Sequence, residues 1–488
     1  MDIKLYNKKP DDSVDVIFLY GNEVPAKQLP LKKDEVTYLN QRRSEKRDIC
    51  VTLDRLPHKM YVQCFDPDVP TSQTAENLRR AAASLQQRLS EEGVDTVAVT
   101  GIGLLTEEIM AFLEGLDMAN YRFDKYKGKK DKRLATVLVD ASLMTAEALK
   151  ENIVLWHHID ICRDWVNEPV MYFNAAQFAD SVAAEAKRLK VKCTVFGQKQ
   201  IESLKMGGLL AVNRGSEDEA RFVVLEYKPA DRVNARPVAL VGKGITYDTG
   251  GLNVKPDDYM REMKSDMAGA ATMANVLFAA AENHLPVHLM AFLPMTDNRP
   301  GKNAYAADDI LKMYDGTTVE VINTDAEGRL ILADAIAYSN QFEPELIIDA
   351  ATLTGAAVRA IGTFGIAAMQ QDAENPMNLL KIVGDQVYER IAEFPFWKEY
   401  DKLIESDVAD IKNCGIAEAG AITAGKFNAH FAKHPFIHLD IAGVAFFSKK
   451  ESFYGVGASG FGIRLLYAFF QTYDALTASR LPKGEFRK

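Results

Sequence analysis

Val238-Ala239-Leu240-Val241-Gly242-Lys243-Gly244-Ile245-Thr246-Tyr247-Asp248-Thr249-Gly250-Gly251 opens on four apolar residues and passes straight into a glycine-punctuated turn carrying a lysine and an aspartate. A short continuous apolar run bounded by glycine suits a strand covered on both faces. Similar runs occur at Lys192 to Phe196, Val319 to Ile322, Leu346 to Ile348 and Phe436 to Leu439, with helical patterns between them. That alternation is α/β patterning. In open α/β sheets ligands sit outside the carboxyl ends of the strands, which is where Lys243 and Asp248 would stand. Taken singly, each reads better as a surface residue or as half of a salt bridge.

Towards the N-terminus the same patterning continues. Strand-like pieces at Val14 to Leu19, Met60 to Phe65, Thr96 to Val99 and Ala135 to Val139 alternate with helical patterns from Thr74 to about Glu91 and near Thr106 to Leu116. A long helical pattern from Thr145 to about Val166 stops at Asn167-Glu168-Pro169, because proline disfavours helical geometry in the residue before it. The domain hinge is expected on this helix. It separates an N-terminal α/β domain, 1–160, from a C-terminal domain, 161–488. Between two of the N-terminal elements lies a lysine-rich stretch, Arg122 to Arg133. A polyanion patch and a solvated loop are both conceivable there, and the overall acidic balance favours the loop.

The chain has 488 residues, for which roughly 150 residues per domain suggests about three domains, or two if one is large. At 47% hydrophobic and 26% charged it has the composition of an ordinary globular protein, which argues against disorder and collagen-like repeats. The net charge of −10 removes the basic footprint of most nucleic-acid binders. Five scattered cysteines, none at C-x-x-C spacing, argue against a zinc knuckle or a disulfide framework. Met1-Asp2-Ile3-Lys4 does not begin a signal peptide. Met267 to Ala281 is too short and alanine-rich to span a bilayer of ~30 Å and reads as a buried helix. A cytoplasmic protein without a membrane partner is expected.

Two phosphate-loop patterns are decoys. Gly420 to Lys426 matches most of a Walker A loop, but Phe427 stands where a magnesium-binding hydroxyl is needed. Gly455 to Gly460 matches G-x-G-x-x-G but follows a polar stretch instead of a clear buried strand, so a structural glycine turn is the better interpretation. Asp266, ahead of the alanine-rich helix, could be an N-cap or a ligand. The sharpest stretch is Val319-Glu320-Val321-Ile322-Asn323-Thr324-Asp325-Ala326-Glu327-Gly328-Arg329-Leu330. Here a strand ends, charges appear at alternate positions, and an apolar helix begins. A solvated turn would give such a pattern too, but the strongly apolar flanks weaken that explanation.

If Asp248, Asp266, Asp325 and Glu327 converge, electrostatics narrows the choices. Two carboxylates about 4 Å apart repel by ~4 kcal/mol at an effective dielectric of 20. Multivalent cations relieve that repulsion, and paired ions ~3.5–4 Å apart are a known design for activating water. None of the eight histidines forms H-E-x-x-H, so any metal here must use carboxylates.

Asn323-Thr324-Asp325-Ala326-Glu327-Gly328-Arg329-Leu330 resembles the signature of the cytosolic leucyl aminopeptidase family, and Gly242 to Lys255 and Lys264-Ser265-Asp266-Met267 resemble its other metal-site motifs, in the right order. The resemblance covers roughly Val166 to Tyr473. It implies a smaller N-terminal α/β domain and a larger catalytic α/β domain with a central mixed sheet flanked by helices. It also implies a two-metal aminopeptidase acting on peptides and usually assembled as a homohexamer. By motif match Asp248 and Glu327 would bridge the metals. Asp325 would complete one site, and Lys243, as a neutral amine, would complete the other with Asp266. Zinc is the expected metal, with manganese, magnesium and cobalt also compatible. Lys255 would steady the oxyanion, and Arg329 would hold a bicarbonate ion as general base.

The substrate's free α-amino group would ligate the lysine-bound metal and contact Asp266. Met263, Thr352 and Gly355 match positions of the first specificity pocket, which implies a broad preference for leucine and other apolar residues. The stretch Asn413 to Gly420 departs from the family's more glycine- and arginine-rich pattern. Two alternatives share the site or the fold: a dipeptidase for cysteinyl-glycine-type peptides, and a DNA-binding scaffold supported only by the Arg122 to Arg133 cluster.

Overall fold

The computed structural model describes residues 1–473 apart from 9, 22–23, 45–49 and 66–70. Residues 474–488, included in the expected C-terminal domain, lie outside the described residues. The chain divides into two compact units. One contains Met1–Asp160 with Gln386–Tyr388 and Ser448–Val456, and the other contains Ile161–Asp385, Glu389–Phe447 and the chain from Gly457 onward.

The first unit is built on a six-stranded sheet. Its spatial order is Asp2–Tyr6, Thr136–Asp140, Thr96–Ile102, Asp15–Gly21, His58–Phe65, Cys50–Arg55. All neighbours are parallel except the last two, which form an antiparallel pair. The helices Thr71–Glu92 and Thr106–Asn120 pack on one another. Lysine-rich Arg122 to Arg133 is a mostly exposed loop in which Lys127 pairs with Asp131 at 3.0 Å and Arg133 with Asp124 at 2.5 Å.

The second unit is organised by a mixed sheet of nine strands. Eight run in the order Ile391–Glu393, Ile366–Gln371, Phe436–Asp440, Leu346–Ala351, Val238–Gly242, Leu289–Asn298, Arg221–Tyr227, Lys192–Phe196, and Gly244–Asp248 pairs with Leu289–Asn298. The four central strands from Phe436–Asp440 to Leu289–Asn298 are mutually parallel, so their carboxyl ends form one edge. Asp440, Thr352, Lys243 and Asn298 stand on or directly after those ends.

Each face of the sheet is covered by a helix whose composition suits its place. Ala268–Glu282 is buried along almost its whole length and packs on the three strands ending at Gly242, Asn298 and Ala351. Its small side chains allow a close approach. Ala239, Val241 and Ile347 point the other way, into a core with Leu330, Ile331 and Ala333 of the helix Glu327–Ser339, as the two-residue alternation of strands requires.

One expectation needs correction, and one open choice is narrowed. Val319 to Ile322 is not a strand of the central sheet: the strand is Thr318–Glu320, in a separate three-stranded sheet with Ile310–Lys312 and Ile411–Lys412. Its apolar residues are buried because they cover the Glu327–Ser339 core from the side. Asp266 is not the cap of the alanine-rich helix; Met267 occupies that position, and the Asp266 carboxylate is engaged elsewhere. Both phosphate-loop patterns are structural. Gly420 to Lys426 lies inside the helix Gly420–His430, and Gly455 to Gly460 spans the short strand Gly455–Ala458 and the first residues after it, with Gly455, Gly457 and Gly460 at positive φ.

The helix that begins at Glu327 is clamped two turns further on. Asp334 is fully buried, with its two carboxylate oxygens accepting from Leu209 N at 2.9 Å and Tyr314 N at 2.8 Å. Burial pushes its carboxyl up to about 7 despite these donors. A carboxyl raised above its unfolded value contributes stability that is complete below pH ~4 and fades as pH rises towards 7. Asp334→Ala, which strands two backbone donors, should cost about 2–4 kcal/mol in urea unfolding at low pH. The gap from the wild type should narrow between pH 4 and 7.

Candidate active site

Lys243 leaves the sheet where Val238–Gly242 ends, its backbone fixed by Lys243 N to Ala350 O at 3.1 Å and Ala270 N to Lys243 O at 2.8 Å. Its Nζ lies 2.8 Å from Asp266 Oδ1, 2.9 Å from Glu327 Oε1 and 3.0 Å from Thr352 O. Asp248 closes the strand Gly244–Asp248. Its Oδ1 accepts from Gly250 N and Asn298 Nδ2, both at 2.8 Å, which leaves Oδ2 to face Lys255 Nζ at 2.7 Å. Lys255 Nζ also reaches Asp325 Oδ1 at 2.5 Å. The sequence-predicted ligands Lys243, Asp248, Asp266, Asp325 and Glu327 therefore lie in one cluster with Lys255.

Thr324, itself fully buried, fastens the two loops that carry this cluster. Its hydroxyl donates to Gly250 O at 2.6 Å and accepts from Asn253 N at 2.8 Å, while its amide donates to Asn253 Oδ1 at 2.9 Å. Its carbonyl accepts from Asn298 Nδ2 at 3.0 Å and Tyr305 Oη at 2.8 Å. Gly250 has φ +89°, a left-handed conformation that a side chain would strain. Gly328 is needed for a different reason: a Cβ there would lie 2.4 Å from Lys243 Cε. The lysine thus runs directly over the first turn of the Glu327–Ser339 helix.

Arg329 is buried on the same turn, with NH1 donating to Asn413 O at 2.8 Å and Nε without a hydrogen-bond partner. Asn413 also ties down the loop before Asp325, through Asn413 Oδ1 to Ile322 N at 2.7 Å and Asn413 Nδ2 to Asn323 O at 2.8 Å. Of the expected pocket residues, Thr352 touches the cluster through its carbonyl and through its hydroxyl, 2.7 Å from Asp266 Oδ1. Met263 is half-buried in a short turn before Asp266, and Gly355 is exposed at the start of the helix Gly355–Ile361.

The electrostatics follow from four carboxylates meeting two ammonium groups out of water. Burial, reinforced by neighbouring carboxylates, pushes Asp248 far above and Asp325 above the usual carboxylate range, and raises Asp266 to about 6. Glu327 is the exception. Burial opposes its ionisation, but Lys243 and Lys255 together hold it below its ordinary value. Both lysines are raised, because the surrounding carboxylates outweigh the cost of burying them. Asp248, Asp325 and Glu327 each offer an oxygen, all within 4.8 Å of one another. Glu327 Oε2 and Asp266 Oδ2 are buried without a hydrogen-bond partner, so the donor set suits additional cations.

An oxygen-rich cluster of this kind, at the carboxyl edge of an α/β sheet, defines a metal-dependent hydrolase. The chain belongs to the cytosol aminopeptidase family: residues 160–467 match its catalytic domain and residues 70–130 its N-terminal domain. It is a metal-dependent aminopeptidase, and its substrates are peptides. A probable cytosol aminopeptidase of Chlorobium limicola is 39% identical over 425 residues, covering 82% of this chain and 84% of that one. One of Chlorobaculum parvum is 43% identical over 387 residues, covering 76% of each chain. Among solved structures, the bottromycin maturation enzyme BotP in complex with Mn superposes with a TM-score of 0.83 at 28% identity, over 95% of this chain and all of that one. No helix among the described residues is long and apolar enough to cross a membrane.

Asn298, Thr324 and Asn413 were not singled out in the sequence as site residues. Thr324 lies inside the quoted signature and Asn413 opens the stretch that departs from the family pattern, but neither position by itself showed which groups it would bond. Gly328→Ala should displace Lys243 and weaken divalent-ion affinity at least tenfold in chelator competition, with far-ultraviolet circular dichroism unchanged.

Proposed function

We propose that the chain removes N-terminal residues from peptides, with a broad preference for leucine and other apolar side chains, at a centre of two divalent ions. The observation that carries this proposal is the convergence of Asp248, Asp325 and Glu327 within 4.8 Å, with Lys243 against Glu327 Oε1 and Asp266 Oδ1. Asp248 and Glu327 would be ligands to the ions. Asp325 would complete one position, and Lys243 with Asp266 the other. Lys243 must bind as the neutral amine, so loading the site releases its proton. Zinc is the metal we expect; manganese, named with BotP, is a ready substitute, and magnesium and cobalt suit the same oxygens. When bound, the ions would polarise the scissile carbonyl and make water a competent nucleophile at neutral pH.

The protein's own groups do the rest. Lys255 Nζ, already 2.7 Å from Asp248 and 2.5 Å from Asp325, is a fixed cation at the place where negative charge develops on the substrate carbonyl. Arg329 would hold a bicarbonate ion as the general base, a role for which its buried guanidinium, with Nε still to be satisfied, is suited. Asp266 would take the substrate's α-amino group and restrict the reaction to chain ends. Met263, Thr352 and Gly355 would border the first side-chain pocket. By resemblance to its family and by the name its relatives carry, we place the enzyme in the cytoplasm as a homohexamer, which sedimentation would check.

Leucine anilide should be hydrolysed with zinc or manganese, and a chelator should abolish the activity. Full activity after complete metal removal would sink the proposal. Glu327→Gln should lower kcat at least a hundredfold, and an N-acetylated peptide should not be cleaved. Rates on longer peptides should match or exceed those on cysteinyl-glycine; the reverse order would mark a dipeptidase. Added bicarbonate should accelerate the wild type and leave Arg329→Ala unaffected, with the loss of the base costing about 10²–10⁴-fold.

A further inference from the structure

One more buried carboxylate stands on the carboxyl edge of the sheet, away from the ligand cluster. Asp440 ends the strand Phe436–Asp440, opposite Ala351 of the parallel neighbour, and is 1% exposed. Its Oδ1 accepts from Leu353 N at 3.3 Å and Ala442 N at 3.1 Å, and its Oδ2 accepts from Thr354 Oγ1 at 2.7 Å. Thr354 Oγ1 in turn accepts from Ala357 N at 3.0 Å and caps the helix Gly355–Ile361. The segment leaving the sheet after Ala351 is thereby held at two successive residues. Immediately before them comes Thr352, whose carbonyl takes Lys243 Nζ and whose hydroxyl donates to Asp266 Oδ1.

We infer that Asp440 and Thr354 are positioning residues: they clamp the segment after Ala351 so that Thr352 engages Lys243 and Asp266 together, and so set the corner that receives the substrate's amino group. This inference rests on the function proposed above. Thr352 offers its carbonyl and its hydroxyl to two different residues at once, so its backbone has to be fixed. The Thr352 carbonyl shares a planar peptide unit with Leu353 N, which donates to Asp440 Oδ1, while Asp440 Oδ2 holds the Thr354 hydroxyl one residue further on. The role is one of geometry. An asparagine at 440 can accept from the two backbone donors through its oxygen and turn its amide towards Thr354 Oγ1.

The test compares Thr354→Val and Asp440→Ala, which break the clamp, with Thr354→Ser and Asp440→Asn, which keep it. Steady-state kinetics on leucine anilide should show KM raised about tenfold or more in the first pair, with kcat changed much less. Zinc affinity, read by competition with a chromophoric chelator, should fall about tenfold, in the range seen when outer partners of metal ligands are removed. The second pair should stay within about threefold of the wild type on both measures. Thermal unfolding identifies a variant that fails to fold, and if Asp440→Ala does so, Thr354→Val and Thr354→Ser decide alone. Wild-type KM and zinc affinity in Thr354→Val would overturn the inference, as would Thr354→Ser behaving no better than Thr354→Val. If the wild type cleaves no anilide or peptide with any metal, the proposed function fails, while the zinc titration still tests the clamp.

Discussion

Four carboxylates, all but Asp325 buried, and two ammonium groups share one edge of a sheet, and the architecture of the second unit is organised around keeping them together. Buried ions persist only when each is matched, because removing a charge from water costs several kcal/mol unless partners replace the hydration. The matching is crossed. Lys243 serves Asp266 and Glu327, whereas Lys255 serves Asp248 and Asp325. Formally two negative charges are left over, and burial, reinforced by repulsion among the carboxylates, raises three of the four carboxyl groups. A divalent cation meets this demand better than any further side chain could, since it adds charge without adding bulk.

The sheet creates this edge by running four central strands in the same direction. Residues far apart in sequence, such as Lys243, Asn298, Thr352 and Asp440, then emerge side by side. The loops that follow the strands are tied to one another more than to solvent. Thr324 joins the Gly250 loop to the Asp325 loop, and Asn298 touches both Asp248 and Thr324. Below them, the Glu327–Ser339 helix is gripped through Asp334 by the backbones of Leu209 and Tyr314. A glutamate at the start of a helix held in this way has little freedom to move.

Much of this was legible in the sequence, for identifiable reasons. The strands at Val238, Leu346 and Phe436 are continuous apolar runs because both faces are covered, and the alanine-rich helix is uniformly buried, whereas Lys192–Phe196, at the edge of the sheet, has no fully buried residue. The acidic and basic residues of the cluster stand out because they interrupt such runs. Other features depend on partners that a local pattern cannot reveal. Leu289–Asn298 contains Pro294 and ends in Thr296-Asp297-Asn298, so it does not read as a central strand, yet it supplies Asn298. Val319 is apolar enough for the main sheet but pairs elsewhere. Asp266 has the residue type and position of a helix cap, and only the arrival of Lys243, 23 residues earlier in the chain, shows where its carboxylate is used. Asn413 acts through hydrogen bonds to residues about ninety positions away, for which no local signal exists.

The helix Ala268–Glu282 has a further consequence for how firmly the site is held. Alanine and glycine lose no rotamer freedom on folding, so the first turn of this helix, Ala268-Gly269-Ala270-Ala271, docks with no side-chain entropy to overcome. That turn also has no long side chain that could rearrange once docked: a Cβ on Gly269 would lie 2.1 Å from Ala350 O, and one on Gly242 would lie 2.5 Å from Ala270 Cα. Backbone rests nearly on backbone there. Asp266, two residues ahead of the helix, is therefore held by a mount whose stiffness comes from the absence of adjustable parts in the turn that follows it.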